Sequence, residues 1–396
     1  MPPVRTFDVA ERRARLGLRH HLAPGHRAPD VVTAADGVVC LHATDPSSVH
    51  LAAWARVDHL EVADVEKALY ADRTLVKHLC MRRTLWVFRR ELFGVIQAAA
   101  SRRVADQQRR RLVAEVEKAG FVADGEAWLE GASTGALRAL AALGEATSRE
   151  LRAAVPGLEG SIPYAPHKPY GGTTTLGPRV ITCLSAAGRV VRAHNRGSWT
   201  VSRPAWALTA TWLGEQPVEP PEREARAELV RRWLGAFGPA TVADVKWWLG
   251  STLTAVRAAL ADIGAVEVDL HGEPGVALAD DLEPVVAPEP YAALLPVLDP
   301  TTMGWQRRDW YLGPHRKALF DTAGNAGMTA WWGGRIVGGW NQTPDGTVVL
   351  QMLEDVGAEG RAALEVRAAE LTAWLDGVVV APRFPSPLWQ STRRPT

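Results

Sequence analysis

The chain has 396 residues, of which 47% are hydrophobic and 22% charged, and its formal net charge is +1. This length predicts two to four domains, and the composition is typical of a folded globular protein. The near-neutral charge excludes a globally basic surface that binds polyanions indiscriminately, but it is compatible with a local basic cleft.

Two details of the composition narrow the class of protein. Six of the 45 basic residues are lysine and 39 are arginine, whose planar fork suits phosphates and base edges. An excess of arginine over lysine is also typical of proteins that are encoded by a GC-rich genome, which is an alternative explanation. The three cysteines lie apart in apolar segments, no metal-ligand spacing occurs, and no apolar run approaches ~18 residues. We therefore expect a cytoplasmic protein with reduced thiols and without a metal or cofactor.

The first 120 residues predict a group of helices followed by strands. Helical periodicity covers residues 7–22, 30–36, 47–57, 61–69 and 74–80. A short buried strand at 38–41 interrupts the helices and leads into His42, and the alternation of 82–88 indicates one or two further strands. Helices followed by a hairpin are the order of a winged helix-turn-helix.

The same order recurs twice along the chain. Helices at 91–119, 134–143, 146–155 and 179–187 precede a strand at 188–193. Helices at 222–237 and 252–263 then precede a hairpin of 266–270 and 275–278. The string Val-Ala-Asp-Val occurs at 62–65 and 242–245, at the same place in the first and third stretches. A repeat on this scale favours tandem units over one large fold.

The character of the sequence changes after the proline-rich run at 284–290, which is typical of a linker. Alternating strands at 329–332, 335–340 and 347–353 and a helix at 359–375 predict a small β-sheet or barrel with a closing helix. The predicted class is α+β. The predicted domains are winged helix 1 with the catalytic strand (1–120), winged helix 2 (121–218), winged helix 3 (219–283) and a C-terminal β-barrel with a closing helix (284–396).

His42 and Thr44 are the strongest candidates for a catalytic site. Residues i and i+2 of a strand point to one face, so the imidazole and the hydroxyl would project together and could hold a water or exchange protons. The pattern is equally compatible with a structural, half-buried histidine. Asp45 is either an electrostatic stabiliser or the cap of the helix that follows.

A second set of residues could contact nucleic acid. Three winged helices favour such a partner, although these units also mediate protein interactions. The second wing carries Arg189, Arg192, Arg196, Ser198 and Trp199, which suit phosphates or a narrow minor groove unless the wing is merely solvated. Further candidates for DNA contact are Arg82, Arg83, Lys168, Arg179, Arg307 and Arg308. Trp305 could stack on an intercalated adduct if exposed, or belong to the core.

Six stretches together resemble the winged-helix DNA glycosylases of the AlkZ and YcaQ type, over roughly residues 5–380. They are LHATDP (41–46), MRRTLW (81–86), AAGRVVRAHNRGSW (186–199), AFGPATVADVKWWLG (236–250), MGWQRRDWYLGPHRKALF (303–320) and GGRIVGGW (333–340). The resemblance implies a C-shaped protein in which three tandem winged helices surround a C-terminal β-barrel. The Gln-Φ-Gln or Gln-Φ-Asp catalytic motif of that family matches His42-Ala43-Thr44, so both family side chains are replaced.

The resemblance also implies a function. It is that of a monofunctional, cofactor-free glycosylase that excises bulky N7-alkylguanine adducts of a genotoxic natural product, as self-resistance. The implied partner is double-stranded DNA carrying alkylated guanine, bound by a monomer. The alternatives are a non-catalytic winged-helix DNA-binding protein, either a lesion protector or a transcriptional regulator, and a broad-range alkylpurine glycosylase.

Overall fold

The computed structural model describes residues 5–164 and 171–391. Helices and antiparallel strands alternate in a mixed α/β fold. One large hydrophobic core joins the N-terminal region, residues 229–260 and the C-terminal sheet, and a separate core is built from residues between 112 and 206. Alternate strand residues face the two cores: Val190 and Trp206 lie in the second, whereas Val191 and Ala205 lie in the first.

The N-terminal region places a three-stranded antiparallel sheet among short helices. The side chains of Asp8 and Asp30 accept backbone N–H groups and so start the first two helices. The sheet order is β1-β3-β2, with His42 opposite Trp86. The elements are α1 (Val9–Arg19), α2 (Val31–Gly37), β1 (Leu41–His42), α3 (Ser48–Trp54), α4 (Val62–Glu66), β2 (Leu75–Leu79) and β3 (Leu85–Arg89).

Two predictions for this region are wrong. The expected helix at 74–80 is strand β2, which pairs with β3 along its whole length. Its five residues are too few for periodicity to decide, and the neighbouring strand supplies hydrogen-bond partners that the local pattern does not reveal. The strand expected at 38–41 begins instead at Leu41, because Val39 has a φ of 63° and turns the backbone just before it.

The second region contains the longest helices and a sheet of order β4-β8-β7. Thr147 and Glu150 form the expected capping box, with Thr147 Oγ1 accepting the Glu150 N–H at 3.2 Å. The elements are α5 (Phe93–Ile96), α6 (Arg102–Lys118), α7 (Gly125–Leu143), β4 (Glu145–Thr147), α8 (Ser148–Ala154), β5 (Ser161–Tyr164), β6 (Gly172–Thr175), α9 (Gly177–Ala186), β7 (Val190–Asn195), β8 (Pro204–Leu208) and α10 (Thr209–Leu213). Strands β4, β5, β6 and β8 were not expected.

The third region confirms the predicted helices and hairpin closely. Thr241 and Asp244 form a capping box, and a left-handed Gly250 ends the same helix. The hairpin strands pair antiparallel. The elements are α11 (Glu222–Phe237), α12 (Val242–Leu249), α13 (Leu253–Asp262), β9 (Val266–Asp269) and β10 (Pro274–Ala277).

The C-terminal region forms a four-stranded antiparallel sheet of order β11-β12-β13-β14. No closed barrel is found within residues 5–164 and 171–391. A buried ion pair between Arg56 and Asp299, at 2.8 Å, joins this region to the first. The elements are β11 (Ala292–Leu295), α14 (Pro300–Met303), α15 (Asp309–Leu312), α16 (Arg316–Leu319), β12 (Thr329–Trp332), β13 (Arg335–Gln342), β14 (Val348–Met352), α17 (Gly357–Leu375) and α18 (Pro387–Ser391).

Candidate active site and nucleic-acid interface

His42 lies at the end of β1 in a nearly enclosed position. It is 3% exposed, and its ring packs against Trp86 with 4.6 Å between the ring centroids. Burial, reinforced by the charge of Arg82, lowers the pKa of His42 to about 3. The imidazole is therefore neutral at pH 7.

The hydrogen bonds of the turn assign roles to the two ring nitrogens. The Thr44 backbone N–H donates to His42 Nδ1 at 3.4 Å, which leaves the ring proton of the neutral imidazole on Nε2. Within the described ranges, no hydrogen bond engages Nε2. Thr44 Oγ1 accepts the Leu85 N–H at 3.1 Å and keeps its own proton and a second lone pair. A water between the two side chains could accept from Nε2–H and donate to Oγ1.

Asp45, the third candidate, is held in place by hydrogen bonds on both of its carboxylate oxygens. The side chain is 1% exposed, and Oδ1 accepts the backbone N–H and the hydroxyl of Ser47 at 3.1 and 2.6 Å. Its other oxygen, Oδ2, accepts the Arg383 N–H at 2.8 Å. Three donors therefore occupy the carboxylate, which fixes the turn after His42 and anchors a distant segment to it.

Three of the predicted DNA contacts meet in one cavity of about 730 Å³. We call it the arginine cavity, and the residues that define it are Arg82, Arg307, Arg308 and Arg316, with Trp247 and Asp309. Trp247 and Arg316 were not singled out from the sequence, although both lie in the stretches quoted above. The arginines come from the turn before β3 and from residues 303–325, while α12 supplies the tryptophan, so only the fold brings them together.

The second wing divides into exposed and packed residues. Arg189, Arg196 and Ser198 are exposed. Arg192 lies over the Trp206 ring and donates to Ser202 Oγ at 3.2 Å, and burial lowers the pKa of this guanidinium to about 10. The half-buried Trp199 packs on His50, 5.1 Å between centroids, and on Trp374. The exposed part of the wing is therefore the part that DNA could reach.

The remaining predicted DNA contacts differ in whether an ion pair within the protein already compensates their charge. Arg83 is exposed in the turn before β3. Arg179 forms an ion pair with Glu115, so its charge is already compensated. Lys168 lies outside the described residues.

Trp305 belongs to the core, which excludes a stacking role on DNA. It is 2% exposed, and its indole N–H donates to the Phe237 carbonyl at 3.2 Å. Its ring also packs against Trp310 and Tyr311. Of the two interpretations of this residue, the core position is the correct one.

A second polar pocket lies on the other side of the catalytic turn and was missed by the sequence analysis. Ala43 lines it together with His50, Glu66, Lys77 and Arg192. His50 Nε2 pairs with Glu66 at 2.9 Å. Burial lowers the pKa of Lys77 to about 8, with a further contribution from the nearby Arg192. His50 and Glu66 lie on helices α3 and α4, whereas Lys77 and Arg192 lie on strands β2 and β7, so no local spacing in the sequence groups them.

Two findings concern other classes of site. Among the residues that the structure describes, no group of three or more His, Cys, Asp or Glu side chains could hold a metal ion. Over the same ranges, no helix combines the length and apolarity needed to cross a membrane.

Comparison with known proteins gives three results. The family model described as DNA glycosylase AlkZ-like matches residues 35–374. The interstrand DNA cross-link repair glycosylase of Streptomyces sahachiroi is 31% identical over 202 residues, covering 48% of this chain and 53% of that protein, so the chain spans about half the length of this curated relative. The solved structure of Streptomyces sahachiroi DNA glycosylase AlkZ superposes with a TM-score of 0.71 at 20% identity, covering 92% of this chain and 96% of that one, which establishes the similarity of fold. The family model covers most of the chain, and the chain therefore belongs to the AlkZ-like DNA glycosylase family.

Proposed function

We propose that this protein is a monofunctional DNA glycosylase that excises bulky N7-alkylguanine adducts of a genotoxic natural product. The observation that carries the proposal is the family match over residues 35–374, which includes the His42 turn and the arginine cavity. The name of the Streptomyces sahachiroi relative, a cross-link repair glycosylase, supports bulky DNA lesions as the substrate class. The biological role would be base excision repair for self-resistance.

The proposed organisation follows the order of helices and hairpins. Residues 1–120, 121–218 and 219–283 would be three winged helices, each with helices that precede an antiparallel strand pair. Residues 284–396 would be the C-terminal β-domain, whose four strands would belong to the barrel. A C-shaped arrangement of these units would bind duplex DNA as a monomer in the cytoplasm.

The proposed chemistry uses the weakness of the bond to be broken. An N7-alkylated guanine is cationic, so its glycosidic bond is weak and the base leaves without strong acid catalysis. The enzyme then has to position a water and to stabilise an oxocarbenium-like sugar. His42 and Thr44 would hold that water between Nε2–H and Oγ1, which favours a water-orienting role for His42 over that of a general base. A pKa of about 3 makes the imidazole a weak base.

The proposed DNA contacts are the residues whose charges are free to meet phosphates. They are Arg83, Arg189, Arg196 and Ser198, which are exposed, with Arg192 behind them, and Arg82 and Arg308 in the arginine cavity, where Arg307 already pairs with Glu273. Exposed arginines on a wing suit the minor groove and the backbone. Reversing the charges of Arg189 and Arg196 together should weaken binding and flatten its salt dependence, which a titration at several salt concentrations measures.

One observation favours a second candidate, a lesion-binding protein without turnover. His42 is 3% exposed, and neither glutamine of the family motif is present. Such a protein would bind the adducted duplex tightly and release no base.

The test is an excision assay on one duplex that carries a defined bulky N7-alkylguanine. Wild type and His42→Ala are incubated with it, and alkali then cuts any abasic site. Cleavage by wild type that falls at least ~100-fold in the variant would establish the enzyme and the place of its site. Tight retention of the duplex without cleavage would favour the lesion-binding protein. Cleavage that is equal in both proteins would remove His42 from the mechanism.

A further inference from the structure

The arginine cavity contains two guanidinium groups against one indole ring. The Arg82 guanidinium carbon lies 4.1 Å from the Trp247 ring centroid, and that of Arg308 lies 5.1 Å from it. Arg308 is 4% exposed and also lies over Phe320. Two like charges are therefore held close together beside a cavity that is large enough for a phosphodiester and its hydration.

The carboxylates of the described residues do not neutralise this pair. Neither Arg82 nor Arg308 forms a salt bridge there, and the Nε of each is buried without an acceptor. Asp244 is nearby, but its oxygens already accept the backbone N–H groups of Gln306 and Arg307 and two groups of Thr241. Asp309 is the carboxylate that lines the cavity.

The two other arginines of the cavity differ in whether a carboxylate pairs with them. Arg307 is exposed and pairs with Glu273. Arg316 lies over Phe320, 5.7 Å from the ring centroid, and adds a further positive charge. The cavity therefore has an excess of positive charge, and such an excess is costly where groups are desolvated unless an anion compensates it.

We infer that the arginine cavity binds one backbone phosphate of the DNA strand that carries the lesion, with Arg82 and Arg308 as the groups that bind it. This inference rests on the proposed function, because it takes DNA to be the ligand. The planar fork of arginine donates two parallel hydrogen bonds to a phosphate. Arg82 lies in the turn before β3, and its charge also acts on His42. This residue therefore connects the candidate catalytic region to the backbone of the bound DNA strand.

The charge of the cavity also decides which part of the lesion enters it. An N7-alkylguanine base is a cation, and the charges of Arg82, Arg308 and Arg316 against the single carboxylate of Asp309 would repel it. The phosphodiester is the anionic part of the same substrate. The cavity therefore serves the backbone next to the lesion, and the adducted base must lie elsewhere.

The experiment measures binding to a duplex with a tetrahydrofuran analogue of the abasic site, which no glycosylase can cleave. Each phosphate near the analogue is replaced in turn by a neutral methylphosphonate. The proteins are wild type, the double variant Arg82→Met with Arg308→Met, and the control Arg361→Met, which removes an exposed charge from α17. Methionine keeps most of the side-chain length and removes the charge.

The expected result is a single phosphate whose neutralisation weakens wild type and the control about tenfold and leaves the double variant unchanged. The salt slope of the double variant should fall by about one relative to wild type. Without DNA, the double variant should melt at a higher temperature than wild type, because it lacks the unpaired buried charges.

Equal effects of every methylphosphonate on wild type and the double variant would overturn the inference. So would a lower melting temperature of the double variant together with an unchanged salt slope, since that would mark a purely structural pair. If the double variant does not fold, Arg82→Met and Arg316→Met are tested singly against the same duplexes. Because the analogue cannot be excised, a lack of glycosylase activity would overturn the proposed enzyme but not this phosphate site.

Discussion

Two buried histidines, His42 and His50, lie near the candidate catalytic turn and have different surroundings. His50 on α3 pairs with Glu66, packs on Trp199 and lies in a pocket with Lys77 and Arg192. His42 has an arginine as its charged neighbour, no carboxylate partner in the described parts of the chain, and a ring nitrogen without a hydrogen bond. Burial lowers the pKa of both side chains. Among the described residues, each ring leaves one nitrogen without a hydrogen bond, so the comparison teaches that the charged neighbours, and not burial, distinguish the two histidines.

The largest expected effect separates the two histidines by activity. His42→Ala should lower the single-turnover rate of excision at least ~100-fold, because it removes the donor that holds the water. His50→Ala should change that rate less than about threefold once the folded fraction is taken into account. An equal loss in both variants would mean that the turn responds as one structural unit and that His42 has no special role.

The second expected effect separates them by stability. His50→Leu should lower the free energy of unfolding by about 1–3 kcal/mol, because leucine has no donor for Glu66 and the Trp199 contact changes. His42→Gln should cost less than about 1 kcal/mol, since an amide can still accept the Thr44 N–H, and it restores the family residue. Denaturant titration of both variants measures the difference. The reverse order would show that His42 is the structural member of the pair.

A smaller effect concerns the partner of His42. Thr44→Val should slow excision about tenfold and cost about 1 kcal/mol of stability, because the Leu85 N–H loses its acceptor and the water loses a hydrogen bond. Thr44→Ser keeps the hydroxyl and serves as the matched control. A Val variant as active as the Ser variant would remove Thr44 from the site.

The last prediction is a pH dependence of stability and of activity. The pKa of His42 is about 3 in the folded protein and near 6.5 in the unfolded chain, so the unfolded state binds more protons between these values. Stability should therefore fall as the pH decreases from about 6.5, and His42→Gln should lessen the slope by about 1.4 kcal/mol per pH unit. Excision should show no inflection near pH 6.5 that depends on His42. Such an inflection in wild type, absent from His42→Gln, would contradict the buried, neutral imidazole.

The fold was predictable where a segment carries its own periodicity. Helix α11 has the predicted bounds of Glu222–Phe237, and β12 those of Thr329–Trp332, because each is bounded by clear local signals. Strand β2 was mistaken for a helix, and β8 was missed, because their conformation depends on strands elsewhere in the chain. Local patterns do not contain that information.

The candidate site was predictable in part for the same reason. The sequence pointed to the segment of His42 and Thr44, but β1 ends at His42, and the observed link between the two residues is the hydrogen bond from the Thr44 backbone N–H to His42 Nδ1. The closeness of Arg82 to His42, the burial of Trp305 and the meeting of Arg82 with Trp247 depend on contacts between distant elements. The occupied carboxylate of Asp45 likewise depends on Arg383, a residue far along the chain.

The hydrogen bond from the Arg383 amide to Asp45 also sets a time at which the site can form. Chains are made from the N-terminus at about 5–20 residues per second, and early segments fold first. His42 and Thr44 leave the ribosome long before residue 383. The hydrogen bond that Asp45 accepts from the Arg383 amide can therefore form only later. Asp299, which pairs with Arg56, is also made late. A nascent chain would therefore hold an incomplete site, and the turn after His42 would be fully hydrogen-bonded only after residue 383 had been synthesised.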